Sequence, residues 1–201
     1  MEMKRDYYED VELFSSGVII FWFAVLIGFL GLYPFVFKNY YVYVANYIAI
    51  NIIVVVGLNL LVGYTGQISL GHAGFFAVGA YGTLIFMSQA HLPFLAALLL
   101  AGLAAAFLGF LLGLPALRLE GPYLAIATLG FGLTITQVIG KINLLGGRQG
   151  LHAPDLIVLG RVLDTDREFY YLVIPLTVLL VLFARNLTKT KVGRAFVAIR
   201  D

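Results

Sequence analysis

Between Lys38 and Arg118 the chain runs through positions 39–117, 79 residues, without a single Asp, Glu, Lys or Arg. The buried core of a soluble protein is not charge-free over such a length. A helix crosses a hydrocarbon layer of ~30 Å in about 20 residues, so this stretch alone has room for three crossings joined by short turns. Composition agrees: 61% of residues are hydrophobic and 12% charged, with a mean hydropathy of +0.96. Soluble domains carry about 25% charged residues. Disorder is excluded by the hydrophobicity, a disulfide scaffold by the absence of cysteine, and nucleic-acid binding by a net charge of only +2. The chain reads as an integral membrane protein.

Six spans are expected, near 18–37, 42–64, 67–88, 93–117, 122–140 and 169–187, in an all-α, polytopic bundle. Segments such as 96–114, AALLLAGLAAAFLGFLLGL, lack the polar–apolar alternation of barrel strands. In lipid, continuous apolar runs satisfy their amides as helices. Residues 1–17 form an acidic leader without the small-residue cleavage site of a signal peptide, 18–187 the transmembrane region, and 188–201 a polar tail. The one sizeable loop is 141–168. Arg185, Lys189, Lys191, Arg194 and Arg200 crowd the C-terminal end, which places that end, and after six crossings the N-terminus, in the cytoplasm of a cell-membrane protein.

Helices in lipid associate through close packing and interhelical hydrogen bonds. Gly102, Ala106, Gly109 and Gly113 on the fourth span fall within about 60° of one another, and Gly71, Gly74 and Gly82 on the third within about 80°. Both stripes read as packing faces, with sliding of helices during a transport cycle as the other option. Polar residues are scarcer. YTGQISLGHA, from Tyr64 to Ala73, interrupts the apolar run. It is either a tight cytoplasmic turn between two full spans or a discontinuous helix whose freed backbone lines a path. Gln67, Ser69, His72, Asn51, Asn59, Thr128 and Thr134 are candidates for such a path. Each also has a structural alternative: a bonded histidine, asparagines bridging helices, and hydroxyls bonding back to their own helix. Pro175 should kink the last span, whereas Pro93 and Pro122 stand where helices start.

No phosphate-binding loop, metal-ligand spacing, nucleophile elbow or pair of membrane carboxylates occurs. The first five spans as drawn contain no Asp, Glu, Lys or Arg, and the sixth contains only Arg185, two residues from its end, which argues against an ion-coupled pump. A transporter of this composition has to take its energy from a partner.

Several stretches resemble the LivM-type permeases of branched-chain amino acid ABC importers: GLNLLVGYTGQISLGHAGFFAVGAYGTLIF (57–86), RLEGPYLAIATLGFG (118–132), GGRQGL (146–151), EFYYL (168–172) and KVGRAFVAIRD (191–201). The resemblance implies a transport subunit without enzymatic activity, moving leucine, isoleucine, valine or a related solute. It implies no cofactor on this chain, and ATP used by two cytoplasmic ATPase subunits. A second permease subunit and an extracytoplasmic binding protein would complete the importer. Gly193, Arg194, Ala198, Ile199, Arg200 and Asp201 would begin the ATPase-coupling segment. Such permeases continue beyond this motif, so the chain is expected to be a fragment or a truncated form. In GGRQGL a Thr or Ser near the first glycines and an Asn in place of Gln149 would be expected, a departure that fits a solute such as urea or a short amide. The rival from another class is a passive channel for a small neutral solute, which would have no use for an ATPase dock.

Overall fold

The computed structural model describes residues 17–116, 119, 121–142, 147, 150–151, 154, 156–158 and 161–200. Most of the acidic leader, Arg118, half of GGRQGL (Gly146, Arg148 and Gln149) and Asp201 lie outside the described residues. The helices are α1 (Gly17–Val36), α2 (Asn39–Asn59), α3 (His72–Ser88), α4 (Phe94–Ala116), α5 (Pro122–Lys141), α6 (Asp166–Lys189) and α7 (Lys191–Arg200). Four stretches are long and apolar enough to cross a membrane: Asn39–Tyr64, Phe94–Pro115, Pro122–Lys141 and Asp166–Lys189. The apolar stretches Ala24–Val36 and His72–Ser88 are shorter than that standard, so six full-length spans are not what the described residues display. The loop before α6 holds a small antiparallel hairpin, β1 (Ile157–Val158) against β2 (Arg161–Val162), pairing Ile157 with Val162 and Val158 with Arg161.

α2 and α6 run parallel along much of their length. Asn39 Oδ1 accepts from Arg167 Nε at 3.1 Å, and Asn46 Nδ2 donates to the Asp166 carbonyl at 2.9 Å. Deeper in, the Thr177 hydroxyl lies 3.4 Å from the Ala49 carbonyl while donating to Val173 at 2.8 Å. Val42, Ala49, Val173 and Tyr170 are buried in this seam. α6 starts on a capping box: Thr165 Oγ1 accepts from the Glu168 amide, and Glu168 Oε2 accepts from the Thr165 amide at 3.3 Å.

α1 is tied to the same pair through its proline. Pro34 has no N–H, so the Leu30 carbonyl four residues earlier has no helix donor. The buried Tyr170 hydroxyl donates to that carbonyl at 3.0 Å, and Tyr171 donates to Gly31 at 2.8 Å. Tyr170 also stacks on Tyr33, ring centroids 5.8 Å apart.

The other half is built on small residues. α3 and α4 are antiparallel, with Gly82 against Ala101 and Gly109 against Phe75. Ala97 and Ala101 are fully buried. Gly102 and Gly113, expected to pack against a helix, would have nothing within 4 Å of an added Cβ. Alanines one stripe over provide the close approach instead. α3 runs parallel to α5, Gly71 and Gly74 lying against Thr128 and Gly132.

Candidate functional site: a broken helix and its cavity

α2 does not end on a conventional cap. Its hydrogen-bonding widens into a π-helical turn over Leu60–Tyr64, and Gly63 has no room for a side chain because the Asn59 amide oxygen occupies that space. The Thr65 hydroxyl bonds back to Leu61. Gly66 then takes φ +68°, a left-handed value that glycine adopts without steric cost. Residues 66–71 are non-helical, and α3 begins only at His72.

The contacts of these residues fix their depth. Gly71 meets Thr128, six residues into α5, or about 9 Å from that helix's start. The His72 ring lies against Gly57, eight residues before Thr65, or about 12 Å back along α2. The segment therefore climbs from the end of α2 back along its length before α3 starts. A surface turn between two full helices does not do this; a discontinuous helix does. The shortness of α3 follows, since extended backbone replaces its first turns. It also corrects the expected third span of 67–88, in which residues 67–71 are not helical.

Irregular backbone at such depth needs partners. Thr128 supplies one: its hydroxyl accepts from the Leu70 amide at 3.0 Å and donates to the Ala125 carbonyl at 2.9 Å. Glycine supplies the proximity. A Cβ on Gly71 would overlap the Thr128 carbonyl, and one on Gly74 would fall 3.0 Å from Gly132 Cα. The Phe75 and Phe131 rings pack at a tilt of 39°, centroids 4.8 Å apart.

Beside the break lies a cavity of about 250 Å³. Gln67, Ser69 and Thr128 line it together with Phe75, Phe131, Leu61, Leu124, Gly109 and Gly113. Among the described residues its walls carry neutral hydrogen-bonding groups on an apolar background and no Asp, Glu, Lys or Arg. Such a lining suits a small solute with apolar bulk and a few polar atoms, held without ion pairing.

Three of the seven path candidates, Gln67, Ser69 and Thr128, thus converge. His72 is turned toward α2. Thr134 bonds back to Gly130 at 2.8 Å and is exposed. Asn51 and Asn59 lie on an exposed face of α2, where Asn51 Nδ2 donates to Tyr47 of its own helix at 2.8 Å. Among the described hydrogen bonds neither asparagine bridges to another helix. The bridging asparagine is Asn46, which sequence reasoning passed over; its Oδ1 is buried without a partner among the described residues.

At the same end of the molecule as the break, Thr190 joins α6 to α7. Its hydroxyl donates to Leu187 at 2.7 Å and accepts from the Val192 amide at 3.2 Å. Gly193 is buried so closely on Thr188 that a Cβ would overlap the Thr188 carbonyl. Arg194, Ala198 and Ile199 are exposed. Arg200 Nη1 donates to the Gly63 carbonyl at 3.2 Å.

Residues 40–201 match the family described as the branched-chain amino acid transport system permease component. The chain belongs to that family. It is 38% identical over 127 residues to the high-affinity branched-chain amino acid transport system permease protein LivM of Escherichia coli (strain K12). It is 37% identical over 127 residues to the LivM protein of Salmonella typhimurium (strain LT2). Each match covers 51% of this chain and 30% of the relative, so the shared stretch is under a third of those proteins. No solved structure matches the chain.

Proposed function

We propose that the chain is a permease subunit of an ABC importer, carrying branched-chain amino acids or a related small solute inward. The observation that carries this reading is the broken helix. In a chain of the branched-chain permease family, backbone freed from α2 and α3 borders an apolar, polar-spotted cavity of a size for such a solute. Leucine offers an apolar side chain to Phe75 and Phe131 and polar atoms to Gln67, Ser69 and Thr128. With no Asp, Glu, Lys or Arg among the described residues of that wall, the driving force comes from outside the helices.

In this reading α1 to α6 all cross the cell membrane, α1 and α3 completing the set of six, and both termini are cytoplasmic. Residues 188–201 are the cytoplasmic coupling segment, and the exposed Arg194, Ala198 and Ile199 meet one of two ATPase subunits, which hydrolyse the ATP. A second permease subunit covers the α2 face that carries Asn51 and Asn59 and the open face of α4 at Gly102. An extracytoplasmic binding protein delivers the solute, so the membrane path needs only weak contacts.

The test is uptake of labelled leucine into proteoliposomes containing the chain with its co-expressed partner subunits. ATP-dependent accumulation that requires the ATPase is the expected result. Leucine entry without any ATPase would identify a passive facilitator and refute the proposal.

A further inference from the structure

The two arginines of α7 do different things. Both are exposed, but Arg200 also reaches back to the membrane part and donates to the Gly63 carbonyl at 3.2 Å. Its stem lies over Gly66: a Cβ there would be 3.1 Å from Arg200 Cγ and 3.8 Å from Arg200 Cα. Gly63 belongs to the π-helical turn, and Gly66 is the left-handed residue that opens the break. Gln67, the next residue, already lines the cavity. One side chain therefore connects the last turn of α7 to the place where α2 gives way, one residue from the cavity wall. Arginine is suited to the task, since its guanidinium stays charged at all physiological pH and its stem packs while its head bonds.

We propose that Arg200 is a positioning residue and not part of the ATPase-docking surface: it clamps the π-turn and the start of the break, so that displacement of α7 moves residues 66–71 and changes access to the cavity. This rests on the reading of α7 as the coupling segment, and it assigns the two ends of that helix separate duties. Arg194 meets the partner, and Arg200 passes the movement on.

Because the chain has no cysteine, a single reporter can be placed at will. In the purified full chain, Gln67→Cys is reacted with a water-soluble maleimide, with Lys38→Cys at the opposite end of α2 as control. Arg200→Ala should change the Gln67→Cys rate about tenfold, the worth of a charged hydrogen bond, and leave Lys38→Cys unaltered. Arg200→Lys, which keeps a donor but not the fork, should restore part of the rate, and Arg194→Ala should leave it within about twofold. An unchanged Gln67→Cys rate in Arg200→Ala overturns the proposal.

In the assembled importer, Arg200→Ala should lower leucine uptake per ATP hydrolysed about tenfold with the ATPase still bound. Release of the ATPase by Arg200→Ala would instead make it a docking residue and contradict the assignment. Should the unmutated assembly take up no leucine, the proposed function fails, while the maleimide rates still decide whether Arg200 controls the break.

Discussion

The α2–α6 pair and the α3–α5 pair are both parallel, yet they are held together in opposite ways. Between α2 and α6 the contact is made by side chains. Val42, Ala49, Val173 and Tyr170 fill the seam, and Asn46 and Thr177 reach across to backbone carbonyls. Between α3 and α5 the backbones themselves meet, Gly71 on Thr128 and Gly74 on Gly132, with one hydroxyl serving an amide that no helix satisfies. Interdigitated side chains resist displacement because each must leave a packed site. Smooth glycine faces present little to interlock. The irregular backbone and the cavity sit with the glycine-faced pair, and α1 packs on the pair whose seam is filled by side chains.

The sharpest way to break the comparison is Gly71→Ala. The added methyl overlaps a carbonyl, so backbone has to move, and a loss of about 3 kcal/mol is expected, read as a lowered unfolding midpoint in detergent together with loss of leucine uptake. Next comes Tyr170→Phe, which leaves the Leu30 carbonyl freed by Pro34 without its donor and should cost about 1 to 2 kcal/mol of stability. In a Pro34→Ala background the same change should cost less, because residue 34 then supplies the missing N–H; equal costs in the two backgrounds would remove Pro34 from the explanation. Thr128→Val should cost about 0.6 kcal/mol in stability but reduce uptake disproportionately, since it releases the Leu70 amide beside the cavity. Thr134→Val, whose hydroxyl only bonds back to Gly130, serves as its comparison. Smallest is Gly102→Ala, which meets nothing in this chain and should stay within about 0.5 kcal/mol in the isolated protein.

Much of the fold was legible because lipid leaves the backbone few options. The apolar runs located α1 to α6 to within a few residues, except where α3 starts. What blurred that boundary was the choice between a surface turn and a break in YTGQISLGHA, which have the same composition and differ only in depth. Depth is set by Thr128 and Gly57, more than fifty residues apart from the segment in one case and on the preceding helix in the other, and local sequence does not encode it. The glycine stripe on α4 misled for a related reason: alanine permits nearly the same approach as glycine, so Ala97 and Ala101 took the contact and left Gly102 open. Two signals were present and went unread. Thr165-Asp-Arg-Glu168 is a capping box that places the start of α6 at Asp166 and not at 169. Pro34 implied an orphaned carbonyl at Leu30 that some donor had to meet. Convergence of Gln67 and Ser69 with Thr128 followed from tertiary packing alone.

Passage of solute beside the broken helix, as proposed, is probed by the protection of Ser69. Ser69→Cys is placed in the otherwise cysteine-free chain, assembled with its partner subunits in vesicles, and labelled with a maleimide during ATP turnover. Saturating leucine should slow labelling at Ser69→Cys and leave Lys38→Cys unaffected. Equal labelling of Ser69→Cys with and without leucine, in vesicles that accumulate leucine, would place the path elsewhere and contradict the account.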